Sequence, residues 1–375
     1  MTGSRSESGL LAPLIDELRR SDQWQTIVVA TGDHVVGHAD LDAISEQLGF
    51  RIDHLVESLV CDDDAVDVGR SIARGIVGFS DLISREAPDL VVLIGDRFET
   101  YAAALACHLT NTPIAHVHGG EKTVGSMDEA FRHSITKFAR LHYVAHDDYR
   151  RRVIQLGEAP SSVIVVGGLG VDVIRRTDFI EDDLLTPLVG FEVASPYVML
   201  SVHSESNGDD PSRATEVAIE VLHDFPELPV VTSLSSSDVG ALDVNRLITE
   251  FAKSRNNIRL INNMGSRLYL SLLRRAALII GNSSSGILEA PVVGVPTVNI
   301  GSRQHGRVRP ASVVDVGYDL ALARVEIANG LQRGRDAHDV PVDHTFGDGH
   351  ASMRIVRHLR SITIPLGFTK EFYDL

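Results

Sequence analysis

His116-Val117-His118-Gly119-Gly120-Glu121 places two imidazoles and a carboxylate beside a glycine pair, directly after the apolar run "TPIA". On a strand, His116 and His118 share a face, which permits joint metal ligation. No His-Glu-x-x-His segment or distant Cys/His pair completes such a set, so no metal is assigned. Acid/base chemistry remains, alongside a plain strand-end turn with His116 as a hydrogen-bonded core residue. Upstream, "DLVVLIGDRFET" ends an apolar run in Gly95-Asp96-Arg97, where Asp96 also fits a helix N-cap worth about 1 kcal/mol. Downstream, Asp128 precedes Arg132 and His133. Adjacent parallel strands lie about 5 Å apart, so Asp96, His118, Glu121, Asp128 and His133 can converge on one substrate carbon.

The second half offers a different chemistry. In "LIIGNSSSGILEAPVVGVPTVNIGSRQHGR" an apolar run ends in Gly281-Asn282, and Ser283, Ser284, Ser285 and Gly286 open a helix. Hydroxyls and free N–H groups at a helix start favour an anion; a serine-rich cap has the same composition. Glu289 lies about one turn further, placed to accept from vicinal hydroxyls or to face solvent. Arg303 and Arg307 supply guanidinium groups suited to a diphosphate. His203 closes the run "YVMLSVH", and Arg5 stands beside the first helix start in "TGSRSESGLL". Taken alone, the three arginines are at home on a surface, and His203 as a satisfied histidine.

The elements that must position these groups follow from periodicity. Continuous Val/Ile/Leu runs at 26–31, 89–95, 113–118, 141–146, 162–168, 197–203, 228–234, 258–263, 277–282 and 296–300 alternate with helical patterns such as 68–86, 98–111, 128–140, 212–224 and 266–276. That alternation is an α/β chain with parallel sheets. The acidic, proline-containing stretch near 169–195 divides 375 residues into two Rossmann-like doubly wound domains. They are expected at 1–175 and 176–359, with a helix at 360–375 returning to the first. Facing one another, they would bind ligands at strand carboxyl ends in the cleft between. A strand is expected ahead of "TGSRSESG", so either an upstream start or trimmed end, or a sheet without a central strand, is implied.

Composition narrows the classes. The net charge of −16 excludes a nucleic-acid surface, which needs a basic face, so an anionic ligand must find local donors. No apolar run approaches the roughly 20 residues of a membrane span. No signal peptide stands at the N-terminus. Cys61 and Cys107 lack metal-type spacing and suit a reducing cytoplasm.

Taken together and in order, "TGSRSESGLL", "GDRFETYAAALA", "IAHVHGGE…DEAFRHSITKFA", "GNSSSGILEAPVVGVPTVNIGSRQHGR" and "FTKEFYDL" resemble UDP-N-acetylglucosamine 2-epimerases of the hydrolysing type. The resemblance covers nearly the whole chain. It implies the two-domain glycosyltransferase-B architecture, with UDP held mainly by the C-terminal domain, and a homodimer. The implied reaction converts UDP-GlcNAc to N-acetylmannosamine and UDP by anti elimination to a 2-acetamidoglucal and syn hydration, without metal or nicotinamide. By position, Asp96 and Asp128 match active-site acids, Arg97 a nucleotide-sugar contact, and His203 a phosphate contact. Arg5, Ser283, Ser284, Ser285, Glu289, Arg303 and Arg307 fall in segments like the nucleotide site. Two positions depart from non-hydrolysing relatives: His118 stands where they carry Glu, and "SVHSESN" replaces their His-Arg-x-Glu-Asn type segment. The first departure leaves the acid/base role to Glu121 and His118 together.

Overall fold

The structure is a computed structural model describing residues 1–35, 41–60, 65–123, 127–205, 210–235, 240–262, 264–335, 342–364 and 370–375. The chain forms two compact units: unit 1 is Met1–Glu121, Met127–Val173 and Phe346–Leu375, and unit 2 is Lys122–Ser126 and Ile174–Thr345.

Unit 1 alternates α1 (Arg5–Arg19), β1 (Val29–Thr31), α2 (Leu41–Leu48), β2 (His54–Val56), α3 (Ala65–Glu86), β3 (Val91–Ile94) and α4 (Phe98–Leu109). It continues through β4 (Ile114–Val117), α5 (Met127–Phe138), β5 (Leu141–Val144), α6 (Asp147–Gln155) and β6 (Val163–Val165). β1 pairs with β2, and β3-β4-β5-β6 form a second sheet, every pair parallel. The strand expected before the first turn is reduced to a bridge. Thr2 pairs in parallel with Ala30, and the Met1 nitrogen donates to Val92 O at 3.4 Å. Counting that bridge as the first strand, the order runs 3-2-1-4-5-6-7, so the order in which strands are added reverses between Thr2 and β3. Successive residues then cover both faces: Ile94 packs with Leu11, Leu14 and Ile355, and Leu93 with Phe79, Leu82 and Ile135. Each such side chain contributes about 1.5–3 kcal/mol.

After α7 (Leu169–Arg176), unit 2 contains α8 (Asp182–Val189), β7 (Val198–Ser201), α9 (Arg213–Leu222), β8 (Val230–Thr232), α10 (Ala241–Ser254) and β9 (Ile258–Leu260). There follow α11 (Gly265–Arg275), β10 (Leu278–Gly281), α12 (Ser285–Leu288), β11 (Thr297–Ile300), β12 (Val313–Gly317) and α13 (Leu320–Arg335). The sheet β12-β11-β10-β7-β8-β9 is entirely parallel. In order of appearance its strands stand 3-2-1-4-5-6, with the switch between β7 and β10, where doubly wound sheets bind ligands.

The chain re-enters unit 1 at Phe346, ahead of the expected 360. The returning helix is α14 (Ala351–Ser361), and residues 370–375 are not helical, which corrects the helix expected at 360–375. The sequence past Ser361, "ITIPLG", is β-branched and carries Pro and Gly, which stop a helix. Asp172, fully buried, caps α14 by accepting from the N–H groups of Ala351 and Ser352 at 2.8 and 2.7 Å. The tail instead supplies Lys370, whose Nζ donates to Thr136, Lys137 and Ala139 carbonyls at the C-terminus of α5. Burial brings that ammonium down to about 8. Its counter-ion is Glu158, 1% exposed, which also binds His142 and Lys137. Burial works against the Glu158 charge, but bonds from His142, Lys137 and Lys370 hold its pKa at about 2.

A carboxylate so depressed stabilises the fold fully above its ordinary 4.5 and loses that contribution as pH falls through the folded value. Glu158→Gln is therefore expected to cost about 3 kcal/mol at pH 7, with the difference from wild type shrinking between pH 4.5 and 2. Urea unfolding of both proteins across that range tests it; a difference independent of pH would contradict the assignment.

Candidate active site

In unit 1 the polar groups stand at the carboxyl ends of β3 and β4. β3 turns at Gly95, φ +73°, a conformation open to glycine, and delivers Asp96. The N-cap position of α4 is Arg97, with no side-chain cap, so Asp96 is not a cap. Its Oδ2 accepts instead from Arg132 NH2 on α5. Arg132, only 3% exposed, also donates NH1 to Glu121 O at 3.0 Å and to Glu129 Oε2 at 2.6 Å. Burial disfavours the guanidinium charge, but Asp96 foremost and then Glu121 and Glu129 raise its pKa above the ordinary value. Glu129 was not singled out from the sequence. Its i+3 and i+4 spacing to Arg132 and His133 was the available signal, and it also meets His133 Nε2 at 3.2 Å. Asp128 is half-buried in the first turn of α5.

The two histidines of "HVHGGE" do different things. His116 is fully buried: its Nε2 bonds the Gly95 carbonyl at 2.8 Å and its Nδ1 the Thr136 hydroxyl at 3.1 Å. The carbonyl requires Nε2–H, so Nδ1 accepts. Burial lowers its pKa to about 3, so the ring is a neutral core group. His118 sits at φ +65°. Its Nε2 accepts from the Leu169 N–H at 3.2 Å, which assigns the proton to Nδ1, and Nδ1 meets Glu121 Oε1 at 3.0 Å. Both nitrogens are thereby engaged, and Glu121 is the group with a carboxylate to offer.

Arg97 is gripped by the fully buried Glu99 through Nε and NH2 at 3.1 and 3.0 Å. Arg5 is the first residue of α1; its side chain, like Cys61, lies outside the described part of the structure. Sequence reading missed Glu7, a buried carboxyl accepting from the Gly3 N–H at 2.7 Å. Burial raises it to about 7, with the Gly3 bond and Arg97 opposing. Among the described residues no cluster of three or more His, Cys, Asp or Glu is arranged to hold a metal ion, and no helix is long and apolar enough to cross a membrane.

In unit 2 three strand ends are tied together by Asn282, fully buried. Its Oδ1 accepts from the His203 N–H at 2.7 Å and its Nδ2 donates to His203 O at 2.8 Å. The Asn282 carbonyl accepts from Gln304 Nε2 at 2.8 Å and Arg303 NH1 at 3.4 Å. The side chain expected to touch a ligand is thus used within the protein. Ser285 is engaged as well: its Oγ accepts from Tyr269 OH at 2.6 Å and donates to Glu289 Oε2 at 2.5 Å. Burial raises the Glu289 pKa, with the Ser285 bond opposing. Gly286 packs on β11, where an added Cβ would stand 2.7 Å from Thr297 Cγ2.

The helix expected to open at the serines is the four-residue α12, because Pro291 follows Ala290 and a 3-10 turn takes over. Its dipole adds little, so an anion here depends on side chains. Ser283 and Ser284 are half-buried, His203 meets Ser235 Oγ at 3.1 Å, and Arg307 NH1 is buried with no hydrogen-bond partner among the described residues. Hydroxyls, imidazole and guanidinium groups here suit a phosphate, and Glu289 suits a diol.

Residues 16–360 match the family model described as UDP-N-acetylglucosamine 2-epimerase. The chain is 30% identical over 317 residues, 84% of its length and 83% of the relative's, to GDP/UDP-N,N'-diacetylbacillosamine 2-epimerase (hydrolyzing) of Campylobacter jejuni. It is 34% identical over 387 residues to polysialic acid biosynthesis protein P7 of Escherichia coli, covering 100% of this chain and 96% of that one. Among solved structures, UDP-GlcNAc 2-epimerase from Neisseria meningitidis bound to UDP-GlcNAc superposes with a TM-score of 0.81 at 19% identity, covering 96% and 98% of the two chains. The Methanocaldococcus jannaschii UDP-GlcNAc 2-epimerase in complex with UDP-GlcNAc and UDP gives 0.79 at 20% identity, with the same coverage. These likenesses show a shared fold.

Asn282→Ala would strand the His203 N–H and C=O in a buried site, and is expected to destabilise the protein by about 2–4 kcal/mol. Urea unfolding measures this, and a loss below about 1 kcal/mol would mean that water replaces the amide.

Proposed function

The chain belongs to the UDP-N-acetylglucosamine 2-epimerase family, and from that membership we propose that it is a hydrolysing 2-epimerase. It converts UDP-GlcNAc, or a related UDP-2-acetamido sugar, and water into N-acetylmannosamine, or its analogue, and UDP. The observation that carries the reading is the gathering of Asp96 and Glu121 around the buried Arg132. The names of the Campylobacter jejuni and Legionella pneumophila relatives, both hydrolyzing 2-epimerases of diacetylbacillosamine nucleotides, support hydrolysis over release of a UDP-sugar. The compartment proposed is the cytoplasm and the assembly a homodimer.

In the first step the C1–O bond to UDP breaks as a carboxylate removes the C2 proton, leaving a 2-acetamidoglucal. The C2–H is a weak acid that sharpens as positive charge develops at C1, and nearby carboxylates stabilise that charge. In the second step a water oxygen adds at C1 and a proton is delivered to C2 on that same face, opposite to the face from which the first proton left. Asp96, pinned by Arg132, takes the first proton. Glu121, oriented by His118 Nδ1–H, is the second acid/base group, and Asp128 supports the sugar side. His203, Ser283, Ser284, Arg303 and Arg307 receive the departing diphosphate, and Glu289 accepts the ribose hydroxyls.

NMR of the products from UDP-GlcNAc and from its 2,4-diacetamido-trideoxy relative tests the reading and identifies the sugar. Free UDP should accumulate in step with an unactivated 2-epimer. An equilibrium of two UDP-sugars would overturn hydrolysis, and turnover only with an added acceptor would indicate glycosyl transfer. Asp96→Asn should lower kcat by about 10³-fold while UDP affinity stays within about threefold. Glu121→Gln should lose about 10²- to 10⁴-fold and His118→Ala distinctly less; the reverse order would make His118 the proton carrier.

A further inference from the structure

The loop after β11 carries Arg303 and Arg307, and a carboxylate lies beneath its start. Glu205, four residues past the end of β7, is 4% exposed. Its Oε1 accepts from two successive backbone N–H groups, Ser302 and Arg303, at 2.8 Å each. Its Oε2 accepts from the Tyr318 hydroxyl at 2.6 Å, just beyond β12. The ends of β7, β11 and β12 thus meet on one side chain.

Gly301 makes room for this arrangement. It stands at φ +85°, and an added Cβ would lie 2.6 Å from Glu205 Oε1. Its own N–H donates to Gly317 O at 2.8 Å, anchoring the loop to the neighbouring strand. A carboxylate buried to this degree is costly unless its lone pairs are satisfied. Here three donors satisfy it, two of them from the backbone of the loop it underlies. The same two N–H groups, left open, would be a concave anion trap of the kind that captures phosphates directly. With Glu205 in place they are consumed from beneath, and contact with an anion falls to the side chains that the loop carries.

We propose that Glu205 is a positioning residue for the diphosphate: by holding the Ser302 and Arg303 N–H groups it sets the loop that presents Arg303 and Arg307. The proposal rests on the nucleotide reading above. It also assigns a role to a second residue of "SVHSESN", beside the His203 that the reaction above uses. Tyr318 and Gly301 are parts of the same clamp.

The test compares UDP and uridine binding to the full chain and its variants by calorimetry and NMR titration. Glu205→Ala should weaken UDP by about 10- to 100-fold, equivalent to one or two lost bonds, and leave uridine within about twofold. Glu205→Gln should retain UDP within about threefold, because its amide oxygen can accept both N–H groups while its NH2 faces Tyr318. Gly301→Ala, with Glu205 present but displaced, should follow Glu205→Ala and guards against a variant that fails to fold. A Glu205→Ala protein that binds UDP as wild type does, or loses uridine in the same proportion, overturns the proposal. A wild-type chain that binds no UDP sinks the nucleotide reading and the proposal together, so the two failures are distinguishable.

Discussion

In unit 1 a neutral imidazole sealed from solvent sets where the carboxylates stand. His116 reaches from β4 to the Gly95 carbonyl at the end of β3 and to the Thr136 hydroxyl on α5. Asp96 follows Gly95, and Arg132, one turn before Thr136, binds Asp96. The circuit closes on itself, so strand end, helix and carboxylate cannot shift independently. It depends on His116 staying uncharged, which burial ensures by holding its pKa near 3. A charged ring would present two donors and lose the acceptor facing Thr136.

Unit 2 solves the same problem with an amide. A parallel sheet brings every crossover back to one edge, so the turns there must be open to ligand and still be held. Asn282 meets both demands by spending its side chain on the backbone of His203 and its carbonyl on the next loop. An amide and the Glu205 carboxylate hold the backbone, and the proposed anion is met by side chains. For a chain of net charge −16, that division matters, because the overall field repels a diphosphate and only local donors can retain it.

The helical patterns read at 98–111, 128–140 and 266–276 are realised as α4, α5 and α11 within two residues at each end. These segments have a continuous apolar stripe and no internal breaker. Reading failed where a distant partner or a proline intervened. The helix after Ser283 is cut to one turn by Pro291, and the described C-terminal residues 370–375 are not helical but supply a lysine that caps α5. Glu129 was legible from its spacing to Arg132 and His133. Glu205 and Glu7 carried no periodic signal, since each is defined by backbone donors on another turn.

By itself the sequence determined the α/β alternation, the parallel sheets and the residue types gathered at strand ends, because these follow from local periodicity and from turn residues. It could not determine which way each polar group faces. His116 and His118 lie two residues apart on one strand end, yet one is a core brace and the other orients Glu121. That difference was decided by the Leu169 N–H, 51 residues along the chain, and by the Gly95 carbonyl 21 residues back. Hydrogen-bond partners at such separations come together only when the sheet is assembled, so the tautomers, and with them the available carboxylates, belong to the tertiary structure.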